Sequence, residues 1–159
     1  MRRALNLSRK GLDLRLEAAD ALSRLADEAS LAVLVEASGD RASFLHSRGA
    51  RALLRRHGDD AAVACAKGLE DERALVRIGA TQTAARLHIK SQASRNVLGE
   101  ALSNATGDDS RLVRQAALRA IAAHGMKEHA DSVFKALNHS DPRTRMSAAV
   151  SLGQMGSEG

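Results

Sequence analysis

Aromatic residues are almost absent from this chain. Its 159 residues include no tryptophan, no tyrosine and only two phenylalanines, Phe44 and Phe134. A chain this poor in aromatic rings has no platform on which nucleic-acid bases could stack, and it lacks the aromatic and β-branched runs that strands favour. Alanine, leucine and arginine are the most frequent residues instead, and these residues favour helices. The composition therefore predicts an all-α protein.

Cysteine and long apolar stretches are also scarce. Cys65 is the only cysteine, so no internal disulfide can form and a reducing compartment is expected. Its alanine-rich surroundings favour a small buried side chain over a catalytic thiol. No apolar run approaches the roughly 20 residues of a membrane span, and the first ten residues lack the apolar centre of a secretory signal. We expect a cytoplasmic protein with no membrane partner.

Related segments recur along the chain. They align on five anchor positions, 32, 30, 37 and 31 residues apart, which are Arg15, Ser47, Arg77, Arg114 and Arg145. Such intervals are typical of solenoids. Alanine stands three residues after every anchor, at Ala18, Ala50, Ala80, Ala117 and Ala148. Offsets −1, +3, +7 and +10 from the anchor share one face of a helix. The repeated alanine lets neighbouring helices approach closely.

Each anchored segment alternates with a second helical segment. The anchored segments cover residues 12–26, 43–58, 72–88, 109–125 and 141–156. The pattern predicts about five helical hairpins that stack around one continuous core. They form a single domain over residues 1–159, or part of a longer solenoid. The 37-residue interval holds about six extra residues, which we expect in a long loop at Asn104–Ser110 because that stretch is rich in turn-forming residues.

The last anchored segment carries the clearest motif. Asp141, Pro142, Arg145, Ala148 and Leu152 stand at the spacing Asp-Pro-x-x-Arg-x-x-Ala-x-x-x-Leu-Gly. This layout resembles the HEAT-like repeats of the short bacterial kind named from phycobiliprotein lyases. The resemblance implies a right-handed α-solenoid whose anchored helices line the concave side.

The same resemblance implies a structural ladder. In these repeats the anchor arginine pairs with an aspartate of a neighbouring repeat. Arg77, Arg114 and Arg145 take that role here. Asp71, Asp109 and Asp141 are the candidate partners.

The remaining arginines indicate a binding surface. The five anchored segments hold 14 basic and 6 acidic residues, whereas the rest of the chain is net negative. Candidate partner-binding residues are Arg24, Arg48, Arg51, Arg55, Arg56, Arg86 and Arg119. Three of these, Arg24, Arg56 and Arg86, stand nine residues after their anchors and would align as a stripe. Two plainer readings stay open, namely cations at helix C-termini and a solvated basic face.

Several function classes remain after these observations. The chain shows no nucleophile–base pair, phosphate loop or metal cluster, so we expect no catalysis, cofactor or metal. The favoured interpretation is a scaffold that binds the acidic surface or peptide of another protein. Sequence-independent binding of nucleic-acid phosphates is the main alternative, and a chromophore lyase or chaperone role follows from the family resemblance alone. No hairpin follows residues 141–156, so self-association through this C-terminal repeat is also expected, unless the chain is a piece of a longer solenoid.

Overall fold

Helices account for the regular structure of the described chain. The structure is a computed structural model that describes residues 21–22, 29–30, 33–35 and 57–156. From residue 57 onward the elements are α1 (Gly58–Leu69), α2 (Ala74–Ala84), α3 (Gln92–Ala105), α4 (Arg111–Ala123), a 3-10 helix (Lys127–His129), α5 (Ala130–Ala136) and α6 (Pro142–Gly156). None of the helices in these described ranges is both long and apolar enough to cross a membrane.

The helices form two layers of stacked hairpins. Helices α1 and α2, α3 and α4, and α5 and α6 pair as hairpins. Helix α3 packs beside α1 and α5 in a first layer, and α4 packs between α2 and α6 in a second layer. The prediction of an all-α stack of hairpins is confirmed. The two earlier anchored segments, 12–26 and 43–58, lie outside the described residues except for residues 21–22 and 57–58. Gly58, the last residue of the second segment, is the first residue of α1.

The repeated alanine lies where the helices of the second layer meet. Ala80, Ala117 and Ala148 each have 0% of their surface exposed. Helix α4 touches α2, α6 and α3, and its buried positions accordingly include further alanines. A helix enclosed on three sides has room for small side chains only, since interiors are close-packed. Larger apolar residues complete the core, including Leu98, Leu102, Val113, Leu118, Ile121 and Val133.

Helix α4 ends as its glycine predicts. Gly125 has a φ of 56°, a left-handed conformation that glycine adopts without steric cost. The N–H of Gly125 donates to the Ala122 carbonyl at 2.9 Å, and the N–H of Met126 donates to the Ile121 carbonyl at 3.0 Å. This pair of bonds is a Schellman ending, which satisfies two carbonyls and turns the chain. Met126 is fully buried beside it.

The predicted long loop at Asn104–Ser110 is wrong. Helix α3 continues to Ala105, and only residues 106–110 separate it from α4. The extra residues lie instead in α3, which has 14 residues against seven in α5, and in the connection 85–91. Leu98, Leu102 and Ala105 are buried at helical spacing, so core packing extends the helix through a stretch of turn-forming residues.

Candidate functional site

The ladder arginines first hold their own hairpins together. In each of the last three repeats, Nη1 of the anchor arginine donates to the carbonyls six and five residues before it. The bonds run from Arg77 to Asp71 and Glu72 (2.8 and 2.9 Å), from Arg114 to Asp108 and Asp109 (2.7 and 3.0 Å), and from Arg145 to His139 and Ser140 (2.8 and 2.9 Å). One guanidinium nitrogen thus closes the turn between the two helices of each hairpin.

Arg77 also links its hairpin to the next one. Its Nε lies 2.7 Å from Oδ2 of Asp108, and its Nη2 lies 3.1 Å from Oδ1. The side chains of Arg77 and Asp108 are 15% and 10% exposed. The hydrogen bond with Asp108 is the main cause that raises the pKa of Arg77. This two-pronged geometry is the strong form of an arginine–carboxylate pair.

Arg114 makes the corresponding link to the last hairpin. Its Nη2 lies 3.1 Å from Oδ2 of Asp141, and its Nε donates to the Thr144 hydroxyl at 3.0 Å. Thr144 in turn donates to Asp141 at 2.9 Å. Burial raises the pKa of Asp141, but hydrogen bonds from Thr144, the Arg143 N–H and Arg114 outweigh it, so the net pKa is lowered. The carboxylate therefore stays ionised in its pair with Arg114.

The predicted partners of the ladder are partly in place. Asp141 pairs with Arg114. Asp109 does not supply the carboxylate beside Arg77: the neighbouring Asp108 does, held in position by the Ser110 N–H at 2.7 Å. Asp109 contributes its carbonyl instead.

The other two predicted members also differ from the expectation. The Asp71 carboxylate pairs with Arg73 at 2.9 Å, and only its carbonyl contacts Arg77. Arg145 binds backbone carbonyls and forms no ion pair with a described residue. The sequence did not predict that Thr144 would take part in the ladder. Its register position is held by the apolar Val113 on α4, so a polar residue there could have indicated the contact.

A further link joins the C-terminal ends of α2 and α4. His124, which follows α4, lies with Nε2 2.8 Å from the Ala84 carbonyl. A carbonyl can only accept, so Nε2–H is the donor. The sequence places Met155 at the corresponding position after Arg145.

The helices of the second layer carry arginines and no acidic residue, whereas the first layer carries both signs of charge. Helices α2, α4 and α6 contain six arginines and no acidic residue, whereas the helical segments of the first layer, with the 3-10 helix, hold four basic and five acidic residues. Arg77 and Arg114 belong to the ladder. The other four, which are exposed, are Arg111, Arg119, Arg143 and Arg145. We call the exposed side of α2, α4 and α6 the basic face.

No carboxylate of the described residues forms an ion pair with an exposed arginine of the basic face. Arg111 and Arg143 form no ion pair within the described part of the chain, and Arg119 donates Nε to the Gln115 carbonyl at 3.1 Å. Both Arg111 and Arg143 lie in the first turn of a helix, where the dipole disfavours a cation. Sequence reasoning missed these two residues, although their unfavourable position was a signal.

The structure describes two of the seven predicted binding residues. Arg86, just after α2, and Arg119 are exposed. Arg24, Arg48, Arg51, Arg55 and Arg56 lie outside the described residues. In the next two repeats, Ala123 and Gln154 occupy the place of Arg86, so within the described repeats the stripe is limited to Arg86.

Apolar side chains are exposed on the same face. Leu75 and Leu112 each stand two residues before an anchor arginine, and each is 49% exposed. On α6, Met146 and Val150 are 63% and 53% exposed. Across the described residues, no group of three histidine, cysteine or acidic side chains is arranged to hold a metal ion. The face therefore offers guanidinium groups and apolar patches.

Three solved structures with a similar fold are designed or engineered proteins. A designed armadillo repeat protein in complex with the peptide (KR)4 has a TM-score of 0.55 and 16% identity, covering 97% of this chain and 80% of that one. An engineered protein has a TM-score of 0.54 and 21% identity over 98% and 79% of the two chains. Computationally designed armadillo repeat proteins for modular peptide recognition have a TM-score of 0.52 and 17% identity, covering 96% of this chain and 79% of that one. At these identities the likeness concerns the fold alone.

Two models of repeat families match parts of this chain. No curated protein is similar enough to count as a relative. The model of HEAT repeats matches residues 98–159, and the model of the PBS lyase HEAT-like repeat matches residues 14–40. The match to the PBS lyase HEAT-like repeat includes most of the anchored segment 12–26 and lies mostly outside the described residues. The match to HEAT repeats covers the part of the ladder from Asp108 to Arg145. With the stacked hairpins and the arginine ladder, these matches identify the chain as a HEAT-like repeat protein.

Proposed function

We propose that this chain is a non-catalytic repeat scaffold that binds an acidic segment of another protein on its basic face. The observation that carries the proposal is the sorting of charge: α2, α4 and α6 hold no carboxylate, and four arginines of α4 and α6 are exposed. A solvated surface of a soluble protein normally mixes both signs of charge. A face of one sign raises the local concentration of oppositely charged partners.

The exposed arginines are available for such a partner. Among the described residues no carboxylate pairs with Arg111 or Arg143, and Arg145 uses one nitrogen for backbone carbonyls. A guanidinium group can bind a carboxylate through two parallel hydrogen bonds. A carboxylate beside the first turns of α4 and α6 would also offset the unfavourable interaction of their arginines with the helix dipole.

The similar designed proteins support a peptide as the ligand. One was solved with the peptide (KR)4, and others were designed for modular peptide recognition. That peptide is basic, whereas the face described here is basic itself, so we propose an acidic partner. We also propose a cytoplasmic setting, because Cys65 is the only cysteine in the sequence and no internal disulfide can form. Burial raises the pKa of the Cys65 thiol to about 12, which keeps the thiol protonated and unreactive.

Anisotropy titrations of labelled ligands test the proposal. The ligands are an oligoglutamate peptide and a duplex DNA, each titrated at several salt concentrations. The reversal variant carries Arg111→Glu, Arg119→Glu and Arg143→Glu. A matched control makes the same change of net charge on exposed residues outside α2, α4 and α6, with Lys90→Glu, Lys127→Glu and Lys135→Glu.

We expect the reversal variant to lose peptide binding and the control to retain most of it. Equal losses in both variants would show that net charge alone drives binding, against the proposal. Tighter binding of the duplex, with a salt slope near −0.9 per phosphate contact, would assign the face to nucleic acid instead. Light scattering of the free protein shows whether the C-terminal repeat also self-associates.

A further inference from the structure

Two exposed leucines occupy equivalent places on neighbouring helices of the basic face. Leu75 on α2 and Leu112 on α4 both stand two residues before the anchor arginine, and both are 49% exposed. A single exposed leucine needs no explanation. Two leucines at one register on helices that pack side by side form a row. Met146 and Val150, exposed on α6, extend the apolar surface along the stack.

The helix spacing sets the distance between these leucines. Packed helices lie about 8–10 Å apart, so equivalent side chains on α2 and α4 are separated by about that distance. An extended chain in the polyproline II conformation advances about 3.1 Å per residue and makes about three residues per turn, so every third side chain points the same way. Three residues of an extended segment therefore reach from Leu75 to Leu112, and about three more reach α6.

Arginines flank this apolar row. Arg111 directly precedes Leu112. On α6, Arg143 takes the register position that leucine holds on α2 and α4. Arg119 lies about two turns along α4 from Leu112, on an exposed position. A ligand that crosses the helices thus meets apolar side chains at one-repeat intervals and guanidinium groups between and beside them.

We infer that the partner is an extended acidic segment with an apolar residue at every third position. Its apolar side chains contact Leu75 and Leu112, and its intervening carboxylates bind Arg111 and Arg143. The inference rests on the proposed function and specifies its ligand. Charge complementarity selects an acidic segment, and the exposed leucines select a protein over a nucleic acid, since a phosphate backbone gains nothing from an apolar contact.

Two synthetic peptides test the inference on the unmodified protein. One is a twelve-residue repeat of Glu-Asp-Leu, and the other is the same repeat with serine in place of leucine. The two peptides carry equal charge. We expect the leucine peptide to bind about tenfold more tightly, which corresponds to about 1.4 kcal/mol. The leucine peptide also retains part of its affinity at high salt, where ion pairs are screened.

Protein variants locate the preference. The double variant Leu75→Ser and Leu112→Ser should bind both peptides equally, because its row of leucines is gone. The matched control is Val97→Ser, which changes a side chain of similar exposure, 45%, on the first layer. The control should keep the tenfold preference. Melting temperatures of both variants confirm that they fold.

The possible results separate the inference from the proposed function. Equal binding of both peptides by the unmodified protein overturns the inference and leaves acidic-segment binding in place. Failure to bind either peptide counts against the proposed function. A concentration-dependent dimer that the Leu75→Ser and Leu112→Ser changes abolish would assign the row to a second copy of this chain, and the inference would then be wrong.

Discussion

Replacing Arg77 by methionine should weaken the stack far more than the same change at Arg145. Both arginines donate Nη1 to two carbonyls of their own hairpin. Only Arg77 adds a carboxylate from the next hairpin, that of Asp108 at 2.7 Å. The two substitutions therefore differ mainly by one inter-repeat ion pair, and methionine preserves the length and helix propensity of the side chain.

The structure gives the size of the expected difference. Arg77→Met leaves Asp108, 10% exposed, with the Ser110 N–H as its remaining donor. Removing one partner of a buried pair costs about 3–5 kcal/mol. Arg77 is itself 15% exposed, so the lower end, about 3 kcal/mol, applies here. Arg145 is exposed, and losing its carbonyl bonds should cost about 1 kcal/mol.

Urea unfolding at neutral pH, followed by circular dichroism, measures both free energies. A double-mutant cycle with Arg77→Met and Asp108→Asn isolates the pair, since asparagine still accepts from the Ser110 N–H. Equal losses from Arg77→Met and Arg145→Met, or a coupling energy near zero, would refute the assignment of Arg77 and Asp108 as the link between hairpins.

Three further changes probe the core and the charged groups. Ala117→Leu should lower the free energy of unfolding by about 1–3 kcal/mol in a urea titration, because the site is fully buried at a helix crossing; Gln115→Leu, at a half-buried position of the same helix, is the control and should cost much less. Ser151→Ala should raise that free energy by about 1 kcal/mol, since the Ser151 hydroxyl is buried and has no hydrogen-bond partner in the described part of the chain; a loss would contradict this. The hydrogen bond with Arg73 lowers the pKa of Asp71 from 3.8 to about 2. Its stabilisation is therefore complete above about pH 4 and lost as the pH falls toward 2, so Asp71→Asn should flatten the acid side of the stability profile.

The periodic features of the sequence predicted the fold. Alanine three residues after every anchor marks the crossing between helices, and Ala80, Ala117 and Ala148 are all buried there. The resemblance to HEAT-like repeats named Arg114 and Asp141 as members of the ladder, and the structure pairs their side chains. These features recur because each hairpin meets the same neighbours, so the pattern reports packing directly.

Features that depend on one side-chain direction were not predictable. Asp108 and Asp109 are adjacent and chemically equal, and only the turn before Ser110 selects the carboxylate that reaches Arg77. The extra residues of the 37-residue interval lie mainly in α3, because the burial of Leu102 outweighs the turn propensity of the residues after it. The aligned leucines Leu75 and Leu112 became visible only once their exposure was known.

The hydrogen bond from His124 to the Ala84 carbonyl makes the two helix pairs of the second layer mechanically different. Helices α2 and α4 are joined at both ends, by Arg77 at one and by His124 at the other. Between α4 and α6 the position of His124 is taken by Met155, whose thioether has no hydrogen to donate. We therefore expect the C-terminal end of α6 to be held less firmly against α4 than its N-terminal end, where Arg114 pairs with Asp141. Spin labels at Ala123 and Gln154 should then report a broader distance distribution than labels at Arg111 and Arg143, and such a difference would let the basic face change its curvature to follow a bound chain.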